Sequence, residues 1–242
     1  MVIHKFFQLF ICLSSVVINA QYVIESPSVI SKNHLSIETD FAFESYKMQK
    51  SFYYPSIFLK YGAGQNLELQ FLTTLSHHQT LDYTFGGLGQ FSLGFKTKVF
   101  EKGNNFNAYL MAQVGLHKTG SRFFHSTYLN PKIYLLFRKN FNQKLETQYS
   151  IGTEWDGDTG EQITKYSGAI VYKPEDRINF FAEYFGYTKR NETSNHHTDV
   201  GISYTPIPNL FFESACGIGF TKDAPQYFVN FKITYEIDLN NQ

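Results

Sequence analysis

Residues 226–237 read QYFVNFKITYEI, and apolar and polar side chains alternate along them. Tyr227, Val229, Phe231, Ile233 and Tyr235 lie on one face, and Asn230, Lys232, Thr234 and Glu236 lie on the other. Because successive side chains of a strand point to opposite faces, this alternation predicts a β-strand with one apolar and one polar face. About a dozen runs of roughly ten residues repeat the pattern through the chain, which is typical of a membrane β-barrel.

The pattern predicts twelve strands. They lie at about 33–44, 53–61, 67–75, 88–100, 107–117, 129–138, 144–154, 165–172, 178–185, 198–204, 210–219 and 226–237. Most are close to the 9–11 tilted residues of a bilayer crossing, whereas the usual soluble strand has 5–6 residues. The sequence therefore predicts an all-β chain, a transmembrane antiparallel β-barrel. A secreted β-sandwich is the alternative fold, and ten is the alternative strand count, because the eighth and eleventh strands alternate least clearly.

The connections between the predicted strands fall into two classes. Short connections rich in Gly, Pro, Asn and Asp lie at 62–66, 139–143, 173–177 and 205–209. Longer ones lie at 76–87, 118–128, 155–164 and 186–197. Outer-membrane barrels have short periplasmic turns and longer outer loops. The order of these connections predicts that both the N- and the C-terminus are periplasmic.

The first twenty residues predict a signal peptide. His4 and Lys5 precede an apolar run from Phe6 to Ile18, and Ala20 supplies the small residue before the cleavage site. A single barrel domain then spans 21–242. No later run approaches the about 20 apolar residues of a membrane helix, so we expect strands and not helices to cross the membrane. The outer membrane of a Gram-negative cell is the predicted location, with its lipid and its assembly machinery as partners.

The composition excludes several classes of protein. Twenty-one Lys and Arg balance 21 Asp and Glu, and this neutral charge argues against binding of nucleic acid. Cys216 is the single cysteine after the predicted leader, so no internal disulfide is expected. We expect a monomer without a cofactor.

The charges on the polar face follow the parity of the strands. Odd strands hold mostly acids: Glu38, Asp40, Glu68, Glu146, Glu154, Glu183 and Glu213. Even strands hold mostly bases: Lys60, Lys96, Lys98, Lys132, Arg138 and Lys232. Asp199 and Glu236 are exceptions. Because each strand has neighbours of the other parity, opposite charges lie side by side and stabilise the sheet. Across two tight turns we expect Lys60 to meet Glu68 and Arg138 to meet Glu146, near the periplasmic mouth.

The inward charges are the candidate solute path. They are Lys60, Glu68, Lys96, Lys132, Arg138, Glu146, Glu183, Glu213 and Lys232. These groups either neutralise one another in a narrow interior or form a charged constriction that filters solutes. Inward aromatic residues reduce the bore further: Tyr54, Phe58, Tyr134, Phe181 and Phe228. Twelve strands make a barrel narrower than the 16–18-stranded porins, so a narrow or gated path is expected.

Residue types that support catalysis or metal binding occur only in weak arrangements. A membrane-embedded hydrolase needs a serine beside a histidine base, but adjacent residues such as His125 and Ser126 face opposite sides of a strand. The pairs His77–His78 and His196–His197 lack further ligands at metal-binding spacing. We therefore predict no catalytic residue and no metal site, and hence no enzyme.

Three stretches resemble a known family. They are LKYGAGQNLEL (59–69), GGLGQFSLGFK (86–96) and the closing strands at 199–237. They are similar to a family of outer-membrane transporters labelled as a component of the meta-pathway of phenol degradation. The resemblance implies an outer-membrane barrel that passes small hydrophobic or aromatic compounds, and it implies no catalytic residues. Lys60 stands where the family more often has arginine, and residues 238–242 follow the position at which its chains usually end.

The combined prediction is a passive channel for small or hydrophobic, including aromatic, compounds. The alternative is a non-conducting barrel with a structural or adhesive role in its outer loops.

Overall fold

A computed structural model describes residues 25–47, 49–80, 84–103, 105–190, 193–222 and 224–240. The predicted signal peptide at residues 1–20 lies outside these ranges, as does the side chain of Tyr54. No helix in the described part of the chain is long and apolar enough to cross a membrane.

The described residues form thirteen strand segments and a short 3-10 turn at Arg122–Phe124. The strands are β1 (His34–Ser45), β2 (Gln49–Gly62), β3 (Leu67–Thr80), β4 (Thr84–Leu88), β5 (Ser92–Lys102), β6 (Phe106–Gly115), β7 (Asn130–Asn140), β8 (Leu145–Trp155), β9 (Gln162–Glu175), β10 (Ile178–Lys189), β11 (Asn195–Ile207), β12 (Leu210–Gly219) and β13 (Tyr227–Asp238).

The strands β4 and β5 are two halves of one crossing. Both pair with β3, β4 along its second half and β5 along its first half, and residues 89–91 interrupt them. Gly89 lies at the interruption, where an added Cβ would be 2.9 Å from the carbonyl oxygen of Thr74, so only glycine fits without displacement. The thirteen segments therefore make twelve crossings, which confirms the predicted number.

The sheet closes on itself. β13 pairs with β1 along its whole length, from Asp238 opposite His34 to Tyr227 opposite Ser45, and β1 in turn pairs with β2. Each described strand is antiparallel to its neighbours, and the remaining pairs follow the order of the chain. Closure satisfies the backbone groups that a sheet edge would leave unpaired. The antiparallel barrel is confirmed, and the two-sheet sandwich is wrong.

Two prolines lie where the pairing register shifts. Pro55 lies in the shift between Tyr53 and Ser56 on β2, and Pro206 lies in the shift between Tyr204 and Ile207 on β11. Proline has no N–H to donate, so within a sheet it is tolerated at such irregularities. The two shifts thus accommodate these prolines without breaking the sheet.

The connections differ in length from the prediction. At the end where β1 begins, here called the turn end, strands are joined by residues 63–66, 103–105, 141–144, 176–177 and 208–209. At the opposite end, the loop end, they are joined by 46–48, 81–83, 116–129, 156–161, 190–194 and 220–226. The long connections predicted at 76–87, 155–164 and 186–197 are wrong in extent, because backbone pairing continues beyond the apolar part of each strand. Residues 116–129 remain a long connection.

The outer face of the barrel is apolar. Ile133 and Leu135 on β7 are 45% and 41% exposed, and Tyr149 and Ile151 on β8 are 47% and 52% exposed. Cys216 is also exposed, on β12. The charged groups on the opposite face of the same sheet are largely buried. An apolar band around a closed barrel with a polar interior is the surface that a bilayer requires.

Candidate functional site in the barrel lumen

Ion pairs link neighbouring strands along the inner wall. Each joins an acid of an odd crossing to a lysine of an adjacent even crossing. They are Glu38–Lys60 (2.7 Å), Glu68–Lys96 (3.3 Å), Glu154–Lys132 (3.6 Å), Glu154–Lys165 (3.0 Å), Glu146–Lys173 (2.5 Å) and Glu213–Lys232 (2.8 Å). The alternation of charge in the sequence corresponds to these contacts, since opposite charges on neighbouring strands attract.

The predicted pair of Lys60 and Glu68 is wrong in its partners. The register places Lys60 opposite Gln70, so it reaches Glu38 on the strand on its other side. Glu68 lies directly opposite Lys96 on β5 and pairs with that residue. The pairing of β2 with β3 across the turn at 63–66 places Lys60 two positions away from Glu68. Each residue therefore pairs with a charge on its other neighbouring strand.

The predicted pair of Arg138 and Glu146 is wrong for the same reason. Arg138 faces Gln148, and Glu146 faces Asn140 across the turn. The carboxylate of Glu146 instead accepts a hydrogen bond from Lys173 on β9 at 2.5 Å. The two-position offset again means that the partner of the carboxylate lies on the other neighbouring strand.

A segment outside the strands lies within the lumen. Residues 25–33, here called the N-terminal segment, precede β1 and turn inward from the turn end. The backbone N–H of Asn33 donates to the carbonyl of Gly62 at 2.8 Å, and that of Ile30 donates to the Glu68 carboxylate at 3.0 Å. The segment is therefore bonded to the wall through its own backbone.

Glu25 bridges two lysines of the wall. Its Oε1 atom is 2.9 Å from Nζ of Lys60 and 2.5 Å from Nζ of Lys96, and Lys96 also donates to the carbonyl of Ser26. Both lysines are buried, with 5% and 1% of their surface exposed. Burial would raise the pKa of Glu25, but the two ammonium groups outweigh it and lower this pKa from 4.5 to about 2. Glu25 is thus ionised over the physiological pH range.

The N-terminal segment reaches across the lumen. Its Val29 packs against Tyr109, Met111 and Leu136 on β6 and β7. With the bonds to β2, β3 and β5, the segment contacts five consecutive crossings of the wall. It therefore narrows the lumen at the turn end along nearly half of its circumference.

A cavity of about 340 Å³ lies beside this segment. The aromatic side chains that face it are Phe58, Tyr134, Phe185 and Tyr187. Its charged lining includes Glu25, Lys60, Lys132, Glu154, Lys165 and Lys232. The volume falls within the range of about 300–1,000 Å³ that is common for small-molecule sites. Apolar rings and paired charges thus share one chamber.

The cavity includes only part of the predicted solute path. Lys60, Lys132 and Lys232 line it, and Glu213 is bonded to Lys232 at its edge. The others lie in the wall beyond it: Glu68, Lys96, Arg138, Glu146 and Glu183. Glu183 faces Asp199 on the next strand, so two acids are adjacent there. Sequence reasoning missed Glu25 and Lys165, because neither belongs to a clearly alternating run.

The residues considered for catalysis make other contacts. The Ser126 hydroxyl donates to the carbonyl of Tyr128 at 2.7 Å and bonds to the side chain of Gln90. The His125 ring lies 3.3 Å from the carbonyl of Gly120. Both residues belong to the connection 116–129, and neither hydrogen bond joins them to one another.

The two neighbouring histidines on β11 lie on opposite faces. His197 is 1% exposed and stacks on Phe185 with ring centroids 4.9 Å apart. The His196 ring is instead bonded to the hydroxyl of Tyr184 at 2.8 Å. Strand geometry therefore separates this pair, with one ring in the lumen and one on the outside.

Comparisons with known proteins agree with this architecture. The family described as "Putative MetA-pathway of phenol degradation" matches residues 18–237. Among solved structures, an outer membrane channel from Pseudomonas putida F1 has a TM-score of 0.69 at 10% identity, covering 89% of this chain and 99% of that one. The NanC porin has a TM-score of 0.57 at 8% sequence identity, covering 83% of this chain and 97% of the porin. The KdgM porin has a TM-score of 0.54 at 12% sequence identity, covering 84% of this chain and 97% of the porin. No curated protein sequence matches.

Proposed function

The chain belongs to the family described as "Putative MetA-pathway of phenol degradation", and from this premise we propose that it is a passive channel for small or hydrophobic compounds, including aromatic ones. The observation that supports this most is the cavity of about 340 Å³ inside a closed barrel, lined by four aromatic rings among charged pairs. Rings offer apolar contact to a solute, while the charges exclude or admit ions according to their sign.

The filter of this channel consists of the inward charges. Lys132, Glu154 and Lys165 face the cavity, and two ammonium groups share one carboxylate there. The other predicted residues of the path contribute to the electrostatic potential inside the lumen. They are Lys60, Glu68, Lys96, Arg138, Glu146, Glu183, Glu213 and Lys232. Movement through the lumen needs no energy source and no chemical step, so the protein is not an enzyme.

The apolar outer band supports a location in the outer membrane, with lipid against Leu135 and its neighbours. A single closed barrel encloses the whole path, so the unit of function is a monomer, inserted by the outer-membrane assembly machinery. The alternative of an adhesive barrel is weakened because the connections at the loop end, apart from 116–129, have at most seven residues.

Replacing Glu154 with glutamine tests the filter. We expect the reversal potential in a salt gradient to shift toward anion selectivity, because Lys132 and Lys165 lose the carboxylate that they share. Planar-bilayer recordings of the refolded chain 21–242 measure this shift. The matched control is Glu161→Gln, which removes the same charge from the exposed connection 156–161. Equal selectivity of the unchanged protein and both variants would refute the filter.

A further inference from the structure

The ionic cluster around Lys60 and Lys96 contains one carboxylate that is not part of the wall. Glu38 and Glu68 project from strands and are fixed by the register of the sheet. Glu25 comes from the N-terminal segment, yet its Oε1 atom lies within 3 Å of both ammonium groups. A segment that is not part of the sheet thus supplies the carboxylate that bridges two lysines of the wall.

We propose that Lys60 and Lys96 form a binding site for the carboxylate group of an aromatic acid, and that Glu25 occupies this site when no such solute is present. The proposal deepens the proposed channel function and rests on it for the role of the site in transport. It assigns a solute class, aromatic carboxylates, to one end of the cavity.

The lysines are suited to this exchange because they are buried. An ammonium group removed from water is costly unless a charged partner is present, so departure of Glu25 favours entry of another carboxylate. Exchange of one carboxylate for another leaves the cluster with two cations and three anions, as before. The exchange therefore leaves the net charge of the cluster unchanged.

The cavity places an aromatic ring next to the site. Nζ of Lys60 lies 4.4 Å from the centroid of the Phe58 ring, and both residues line the cavity together with Glu25. A benzoate-like solute whose carboxylate takes the place of the Glu25 carboxylate would have its ring in this chamber, against Phe58 and Met111. Lys96 does not line the chamber itself, but it contacts the position that Glu25 occupies there. The chamber thus holds the ring, while Lys60 at its edge and Lys96 behind the Glu25 position hold the charge.

Binding of such a solute displaces the N-terminal segment. Besides the two lysine contacts of Glu25, the segment is held by backbone bonds of Ser26, Ile30 and Asn33 to the wall and by packing of Val29 on β6 and β7. Loss of the Glu25 contacts leaves these weaker interactions to hold it. Exposure of Val29 is therefore the expected sign of an occupied site.

The test measures that exposure with benzoate as the probe. In a Cys216→Ser background, which removes the only other cysteine of the mature chain, Val29→Cys places a thiol on the segment. We expect benzoate to increase the rate of labelling by a soluble thiol reagent about tenfold, a typical size for coupled sites. Benzyl alcohol, which has the same ring without the charge, should leave the rate unchanged.

A second variant removes the internal competitor. Glu25→Gln should raise the affinity for benzoate about tenfold in calorimetry of the refolded barrel, and should leave weak binding of benzyl alcohol unaffected. Heat-shifted gel mobility confirms that each variant is folded. Equal labelling with benzoate and benzyl alcohol, or an unchanged affinity of the Glu25→Gln barrel, would overturn the proposed site.

Neither measurement depends on transport. A barrel that responds to benzoate but never conducts retains the carboxylate site and refutes the channel function. A barrel that conducts but responds equally to both probes refutes the site and retains the channel function.

Discussion

Lys96→Met is expected to lower the free energy of unfolding by about 3–5 kcal/mol, the usual cost of removing one partner from a buried ion pair. Lys96 is 1% exposed and contacts the carboxylates of Glu25 at 2.5 Å and Glu68 at 3.3 Å. Lys96 is the only ion-pair partner of Glu68 among the described residues. Because Glu68 is also 1% exposed, the substitution would leave its charge buried without an ion-pair partner. Urea titration of the refolded barrel, followed by heat-shifted gel mobility, measures the loss.

The same strand provides a matched control. Lys98 is two residues further along β5, and its partner Glu101 has a side chain that is 50% exposed. Exposed ion pairs contribute about 0–1 kcal/mol, so Lys98→Met should change stability little. If the two variants unfolded at the same urea concentration, the cluster around Lys96 would not be a stabilising feature of the lumen.

Leu135→Arg is expected to destabilise the barrel in lipid vesicles by about 2–4 kcal/mol, the cost of arginine on the lipid face at the bilayer midplane. Leu135 lies in the middle of β7, is 41% exposed and faces Leu110 and Ile151 on the adjacent strands. An arginine there would place a charge in hydrocarbon. Urea titration in vesicles gives the difference in unfolding free energy.

Phe123→Arg is the control for that experiment. Phe123 is 75% exposed but lies in the 3-10 turn at the loop end, away from the apolar band. Substitutions at such surface positions usually change stability by less than about 0.5 kcal/mol. Equal effects of the two arginines would contradict the assignment of the outer face to lipid.

The fold follows from the sequence because strand alternation is a local property. From Val229 to Tyr235 the polarity of each side chain indicates the face on which it lies, and twelve runs of this kind are sufficient to predict a closed barrel. The ends of the strands were less predictable, since pairing of β3 continues through His77 and β9 begins at Gln162, where side chains no longer alternate in polarity. At these strand ends the backbone hydrogen bonds form although the side chains do not make an apolar face.

The partners of individual charges depend on register, which the alternation alone does not determine. A shift of two positions preserves the face of every side chain, so Lys60 and Glu68 remain inward while their partners change. The position of Glu25 was unpredictable for a different reason. It lies 35 residues from Lys60 and 71 from Lys96, in a segment without periodicity, and only the closed barrel brings the three together.

The most direct test of a passive channel is planar-bilayer conductance of the refolded chain 21–242, after heat-shifted gel mobility has confirmed the barrel. We predict discrete current steps whose size increases with salt concentration and whose ion selectivity follows the charges around Glu154. A folded barrel that inserts into the bilayer and gives no current steps at any salt concentration would contradict the proposed function.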